Sequence, residues 1–141
     1  NGRITKRESY GKKSNGLIFK RALQEYQYQG NTLTKLYFKR YDETGAIEYQ
    51  SELNASYDAQ KNALESSGDQ LLLRDYLGGR TTFYNGLSQN NLVELTEVGT
   101  NFYQKLTCDY QYDSEGYPVE FDLKTENSNG ISTQHFWLEY Y

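Results

Sequence analysis

Phe102-Tyr103-Gln104-Lys105-Leu106-Thr107-Cys108-Asp109-Tyr110-Gln111-Tyr112-Asp113-Ser114-Glu115-Gly116-Tyr117-Pro118-Val119-Glu120-Phe121-Asp122-Leu123 reads as two β-strands joined by a turn. In the first half Phe102, Leu106, Cys108, Tyr110 and Tyr112 fall on one face, and Tyr103, Lys105, Thr107, Asp109 and Gln111 on the other. In the second half Tyr117, Val119, Phe121 and Leu123 alternate with Pro118, Glu120, Asp122 and Lys124. A period of two held over ten residues is the mark of a strand with one face buried. Between the halves, Asp113 can bond turn amides and Gly116 can take the positive φ that a tight reversal needs.

The same punctuation recurs along the chain. Asn1-Gly2, Asn15-Gly16, Gly30-Asn31 and Thr44-Gly45 put glycines 14, 14 and 15 residues apart, and Gly99, Gly116 and Gly130 resume the rhythm later. Ile47, Tyr49, Leu53, Ala55 and Tyr57 alternate with Glu48, Gln50, Glu52, Asn54 and Ser56. Segments 17–28, 33–41 and 131–141 alternate less cleanly, and 3–10 and 92–98 are shorter candidates. Consecutive strands with short connections are antiparallel neighbours. The expected fold is therefore mainly β, one domain over residues 1–141. It is an antiparallel meander of seven or eight long strands, curled or partly barrel-like. Residues 58–91 break the rhythm and form an irregular insert. There Ser67-Gly68-Asp69-Gln70 has the form of a capping box ahead of Leu71–Leu73, and Gly78-Gly79 a stop, so a short helix near 67–78 is expected.

Composition agrees with a sheet. The 141 residues include 15 Tyr and 6 Phe but one Pro and no Met, and mean hydropathy is −0.91. Aromatic residues suit a pleated, half-buried surface, and so many of them argue against disorder. Cys108 is the single cysteine, so no intramolecular disulfide and no sulfur cluster for a metal can form. Residues 1–40 carry ten Lys/Arg against Glu8 and Glu25 (+8), and the remaining 101 carry five against seventeen acids (−12), within a net −4. That asymmetry marks either an anion-binding face or a solvated strand face whose charges pair with acidic neighbours.

Tyr41-Asp42-Glu43-Thr44-Gly45-Ala46-Ile47 and Tyr112-Asp113-Ser114-Glu115-Gly116-Tyr117-Pro118-Val119 share the formula Y-D-x-x-G, and Tyr57-Asp58-Ala59-Gln60-Lys61-Asn62 is a variant that leaves the ladder. Asn1-Gly2-Arg3-Ile4 has the look of the tail of another copy. These stretches resemble the YD-type repeats of Rhs-like shells. They are more closely similar to a family of Bacteroides cell-envelope lipoproteins of unknown function with a porin-like curled sheet. In that family a Y-D-x-x-K-N segment also leads into an irregular insert. The chain then returns near S-x-N-N, here Ser88-Gln89-Asn90-Asn91, ahead of Y-x-Y-x-x-x-G-Y-P, here Tyr110 to Pro118. The resemblance implies an envelope location, periplasmic or surface-exposed, with membrane attachment only through a lipid anchor absent from this chain. It also implies non-enzymatic work.

The residues offer no catalytic motif, although the nineteen acids leave open a carboxylate pair of the kind that glycoside hydrolysis uses, without locating one. No Gly-rich phosphate loop precedes the expected helix, no nucleophile elbow is present, and His135 stands alone without a His/Cys cluster, so no cofactor or metal is expected. Nucleic acid fits the basic first forty residues but not the pI near 5.0. A small transmembrane β-barrel fits the strand length and the aromatic C-terminus, but adjacent Lys20 and Arg21 would aim a charge at each face in mid-strand. Two classes are left. One is a structural or carrier protein enclosing an apolar ligand. The other is a module binding glycans or an envelope component through aromatics on a polar sheet face. Tyr37 lies between Lys35 and Lys39, Tyr103 precedes Lys105, and Trp137 sits between Phe136 and Leu138, so the candidate binding residues are Tyr37, Tyr103, Trp137, Lys35 and Lys39. Trp137 is either core or part of that patch.

Overall fold

A computed structural model describes residues 4–30, 32–60 and 90–139. Eight strands follow one another in space as they do in sequence: β1 (Lys6–Lys12), β2 (Ile18–Gln29), β3 (Thr32–Tyr41), β4 (Ile47–Tyr57), β5 (Leu92–Gly99), β6 (Phe102–Tyr112), β7 (Pro118–Asn127) and β8 (Gly130–Trp137). Each pairs antiparallel with the next, so the expected meander is the observed fold. β1 and β8 are the two ends of the order and do not pair with each other, so the sheet is open. The helix expected near 67–78 lies outside the described residues.

The turns show why Asp and Gly recur. The Asp42 amide bonds the Ala46 carbonyl at 2.9 Å, the Gly45 amide bonds the Asp42 carbonyl at 3.1 Å, and Gly45 takes φ +93°. This is a turn closed by a glycine in the left-handed position, whose twist suits antiparallel strands. Asp42 Oδ1 then accepts from the Thr44 and Ala46 amides at 2.8 and 2.9 Å. Asp113 repeats this with Glu115 and Tyr117, both at 2.9 Å.

Asp58 does the same work across the insert. Its Oδ1 accepts from the amides of Gln60 at 3.0 Å and Asn91 at 3.1 Å, and its own amide bonds the Asn91 carbonyl at 3.1 Å. Asn91 thus stands where Ala46 and Tyr117 stand in the short turns. The ends of β4 and β5 thus close as a hairpin through Asp58 and Asn91. Asp58 Oδ2 is further held by Asn91 Nδ2 at 3.2 Å and by the Tyr112 hydroxyl.

The core lies on one face, built from Tyr26, Leu33, Leu36, Leu53, Leu92, Leu95, Leu106, Cys108, Phe121 and Leu123. Tyr110, Phe121 and Phe136 stand opposite one another on β6, β7 and β8, with ring centroids 5.1 and 4.7 Å apart. Such pairs add about 0.5–1.5 kcal/mol each beyond area burial. Three core tyrosines satisfy their hydroxyls on backbone carbonyls near a strand end: Tyr28 on Ile4 at 3.0 Å, Tyr57 on Leu33 at 2.9 Å, and Tyr110 on Leu92 at 3.2 Å. Burial also pushes the Cys108 thiol up to about 11, so it packs as a small apolar group.

Strict alternation fails at the bulges. The register shifts at Ser9/Tyr10, Gln27/Tyr28, Arg40/Tyr41, Ser56/Tyr57 and Gln111/Tyr112, each time beside a tyrosine. A bulge adds one residue and reverses the alternation beyond it. Pro118, expected to face outward, is therefore fully buried, while Val119, expected inward, is exposed. Between β1 and β2 the pairing steps over Arg21, and Lys20 bonds Glu8 at 2.9 Å. The uninterrupted alternation that put Lys20 and Arg21 on opposite faces does not hold there. Gly99 is not a turn glycine either: Asn101 takes the positive φ, at 60°. A Cβ on Gly99 would stand 2.9 Å from the Tyr49 hydroxyl and 3.0 Å from the Gln50 carbonyl, so close packing requires the glycine.

If Asp58 secures the junction of β4 and β5, Asp58→Ala should cost roughly 2–4 kcal/mol, because it unpairs a part-buried network around a carboxylate. Asp42→Ala, at an exposed turn, should cost about 1 kcal/mol. Urea unfolding of both variants measures this, and equal losses would contradict the role given to Asp58.

Candidate functional site

The face opposite the core is polar, and rows of side chains cross it. Lys6, Glu25, Tyr37, Glu52, Val98 and Tyr103 stand opposite one another on β1 through β6. Odd-numbered positions 35–39 of β3 share this face because Leu36 points into the core. Lys35, Tyr37 and Lys39 are thus neighbours, as their spacing predicts.

Their contacts are specific. Lys35 Nζ bonds Glu52 Oε1 at 2.8 Å and lies 5.3 Å from the centre of the Tyr37 ring. A cation over an aromatic face is attracted by the ring quadrupole. Asn54 Nδ2 holds the same Glu52 oxygen at 3.0 Å. The bond from Lys35 lowers the Glu52 pKa, and the bond to Glu52 raises that of Lys35, so both stay charged around neutrality. Lys39 makes no ion pair among the described residues. It borders a groove of about 410 Å³ whose lining includes Tyr37, Gln50, Glu52, Val98 and Thr100.

Tyr103 lies three strands from Tyr37 in the same row, roughly 14 Å away at the usual strand spacing, with Val98 beside it. Trp137 shares the polar face and is 73% exposed, so it is not core. It does not join the other candidates. Its partner Glu120 stands opposite Gln111, eight residues further along β6 than Tyr103, or roughly 26 Å. Around Trp137 the company is different: His135 meets its ring edge-on at 4.3 Å, and His135 Nδ1 is 2.6 Å from Asp122 Oδ1. The candidates therefore divide into a groove cluster of Lys35, Tyr37 and Lys39, a flanking Tyr103, and a separate Trp137.

The basic excess of the first forty residues is partly neutralised within the sheet. Lys6 and Lys20 converge on Glu8, at 3.1 and 2.9 Å, and Arg40 bonds Glu48 at 3.0 Å. On the core face, Glu97 is a buried carboxylate that accepts from the Tyr49 hydroxyl at 3.2 Å. Sequence reading passed it over, although counting by twos from Leu95 leads to it. Among the described residues no group of three metal-ligating side chains occurs. No known protein family, curated protein or solved structure matches this chain.

The pair beneath Tyr37 has a pH signature. A carboxylate with a lowered folded pKa contributes stability that is complete above its ordinary value of 4.5 and is lost as pH falls through the lowered value. Melting temperature should therefore fall through that acid range, and Glu52→Gln should flatten part of the fall. Glu8, held down to about 2 by Tyr10 and then by Lys20, accounts for a further part. Thermal melts of wild type and Glu52→Gln across this range check the assignment, and superimposable acid limbs would refute it.

Proposed function

We propose that this chain is a non-enzymatic binding module of the cell envelope, holding an acidic glycan or envelope polymer on the polar face of its sheet. The observation that carries the reading is the groove itself, which Tyr37 and Lys39 both line. Sugar rings present C–H faces that pack on aromatic rings, and a carboxylate or sulfate on the sugar is drawn to the ammonium. Lys35, itself held by Glu52, lies over one face of the Tyr37 ring, so the ring is ordered before ligand arrives, which lowers the entropic cost of binding. Tyr103, along the same row, extends the surface for a longer chain. The envelope location rests on the resemblance of the Tyr-Asp turns and of Tyr110–Pro118 to the Bacteroides lipoprotein family.

A glycan array should return hits among uronate-bearing or sulfated glycans. In calorimetric titration of a hit, Tyr37→Ala should weaken binding by on the order of tenfold, equivalent to about 1.4 kcal/mol. Lys39→Gln should weaken it and reduce its salt dependence. Trp137→Ala, at the far end of the face, should bind like wild type. Absence of any glycan hit, or unchanged affinity in a folded Tyr37→Ala variant, would end this reading.

A further inference from the structure

The two edges of the open sheet are built differently. β1 carries Lys6, Arg7, Glu8 and Lys12, and its pairing with β2 is broken by a bulge. Charges and bulges are the usual guards against edge-to-edge pairing. β8 has neither: Gly130-Ile131-Ser132-Thr133-Gln134-His135-Phe136-Trp137 contains no Lys, Arg, Asp, Glu or Pro. Its register with β7 runs without a shift from Asn127↔Gly130 to Glu120↔Trp137. Every residue of β8 except Phe136 is exposed, and Ile131 and Trp137 reach 63% and 73%.

The Leu138 amide bonds the Val119 carbonyl at 2.9 Å, so position 138 directs its backbone towards β7. Backbone groups alternate in direction along a strand, so those of Ile131, Thr133, His135 and Trp137 point away from the sheet. An edge of this kind can accept another strand. We infer that β8 pairs antiparallel with β8 of a second copy of this chain, joining two open sheets across a two-fold axis at Gln134.

That register is self-complementary. It sets Ile131 opposite Trp137 of the second copy and Thr133 opposite its His135, and all four of these positions carry outward backbone groups on both strands. The two most exposed apolar side chains of the edge then cover each other. With no Lys, Arg, Asp or Glu on β8, the pairing sets no such charges against each other. The side chains are also held in place beforehand, because Asp122 bonds His135 and His135 abuts Trp137. Pairing β8 with β1 of another copy would set this neutral edge against charges and a bulge. It would also be head-to-tail, which needs a ring to close, whereas β8 against β8 closes at two.

Sedimentation velocity on the 141-residue chain over a concentration series tests the pairing. A reversible dimer is expected. Thr133→Pro removes an outward amide while leaving the bonds to β7, a placement that edge strands tolerate, and should shift dissociation by at least about tenfold. Gln134→Cys gives a second measure. At the two-fold centre the paired α-carbons lie about 4.5 Å apart, within disulfide range, so mild oxidation should yield a covalent dimer. Cys108 is buried and should not compete. A monomer at every concentration would overturn the inference. So would a dimer that survives Thr133→Pro, or one whose Gln134→Cys form does not cross-link. Since Tyr37 and Lys39 lie outside this edge, the outcome is independent of glycan binding.

Discussion

The sheet depends on the carboxylate of Asp58. Seven hydrogen-bonded interfaces hold the eight strands, and the β4–β5 interface is the one whose connection is long. Closing a 34-residue connection in place of a five-residue turn costs roughly 1.7 kcal/mol more in chain entropy. Asp58 offsets this by accepting from two backbone amides, the Asn91 side chain and the Tyr112 hydroxyl. The amide bonds have counterparts at Asp42 and Asp113, so what Asp58 adds is the Asn91 side chain and the Tyr112 hydroxyl, and this addition is of the same order as the entropic difference. Its link to Tyr112 also ties this hairpin to the end of β6. The two halves of the meander are thereby locked at the place where the chain leaves and re-enters it.

Tyrosine makes such a sheet possible at low hydropathy. A ring buries nearly as much apolar surface as phenylalanine, but its hydroxyl must then find a partner. Tyr28, Tyr57 and Tyr110 meet that need with carbonyls near a strand end, at Ile4, Leu33 and Leu92. The bulges stand beside tyrosines because the same strand ends must both reverse and stay covered. Desolvation raises the pKa of Tyr57 and Tyr110, which keeps them neutral donors under ordinary conditions. The abundance of tyrosine is therefore largely a property of the scaffold, and only those on the opposite face bear on the proposed binding.

That distinction marks what could be read from the sequence. Period-two runs such as Phe102–Tyr112 placed the strands and their faces correctly because no bulge interrupts them before their last residue. Pro118 and Val119 were misplaced because a bulge leaves no signature in hydropathy, only in register. Gly99 looked like its turn-forming counterparts, though crowding by Tyr49 and Gln50 is its constraint. For the candidate site, Lys35, Tyr37 and Lys39 were legible as a cluster because they sit on one strand. The separation of Trp137 from them was not, since distance across a sheet is the sum of several registers.

The charge asymmetry of the chain takes on a definite meaning once those registers are known. The meander brings the basic β1–β3 segment against acids of its own strands and of β4, and Glu8, Glu48 and Glu52 draw in Lys6, Lys20, Arg40 and Lys35. Exposed pairs of this kind contribute about 1 kcal/mol or less, so their role in holding the fold is small. Their larger effect is on the surface potential, because each pair removes a cation from those open to an anionic partner. Lys39 faces Leu23 and Gln50 across its neighbouring strands, so no acid stands directly opposite it. It therefore keeps its field at the border of the groove, beside a braced aromatic ring. A net-negative protein can in this way present a local cationic and aromatic spot, and the selectivity of such a spot lies in the acidic neighbours that repel a ligand bound out of place.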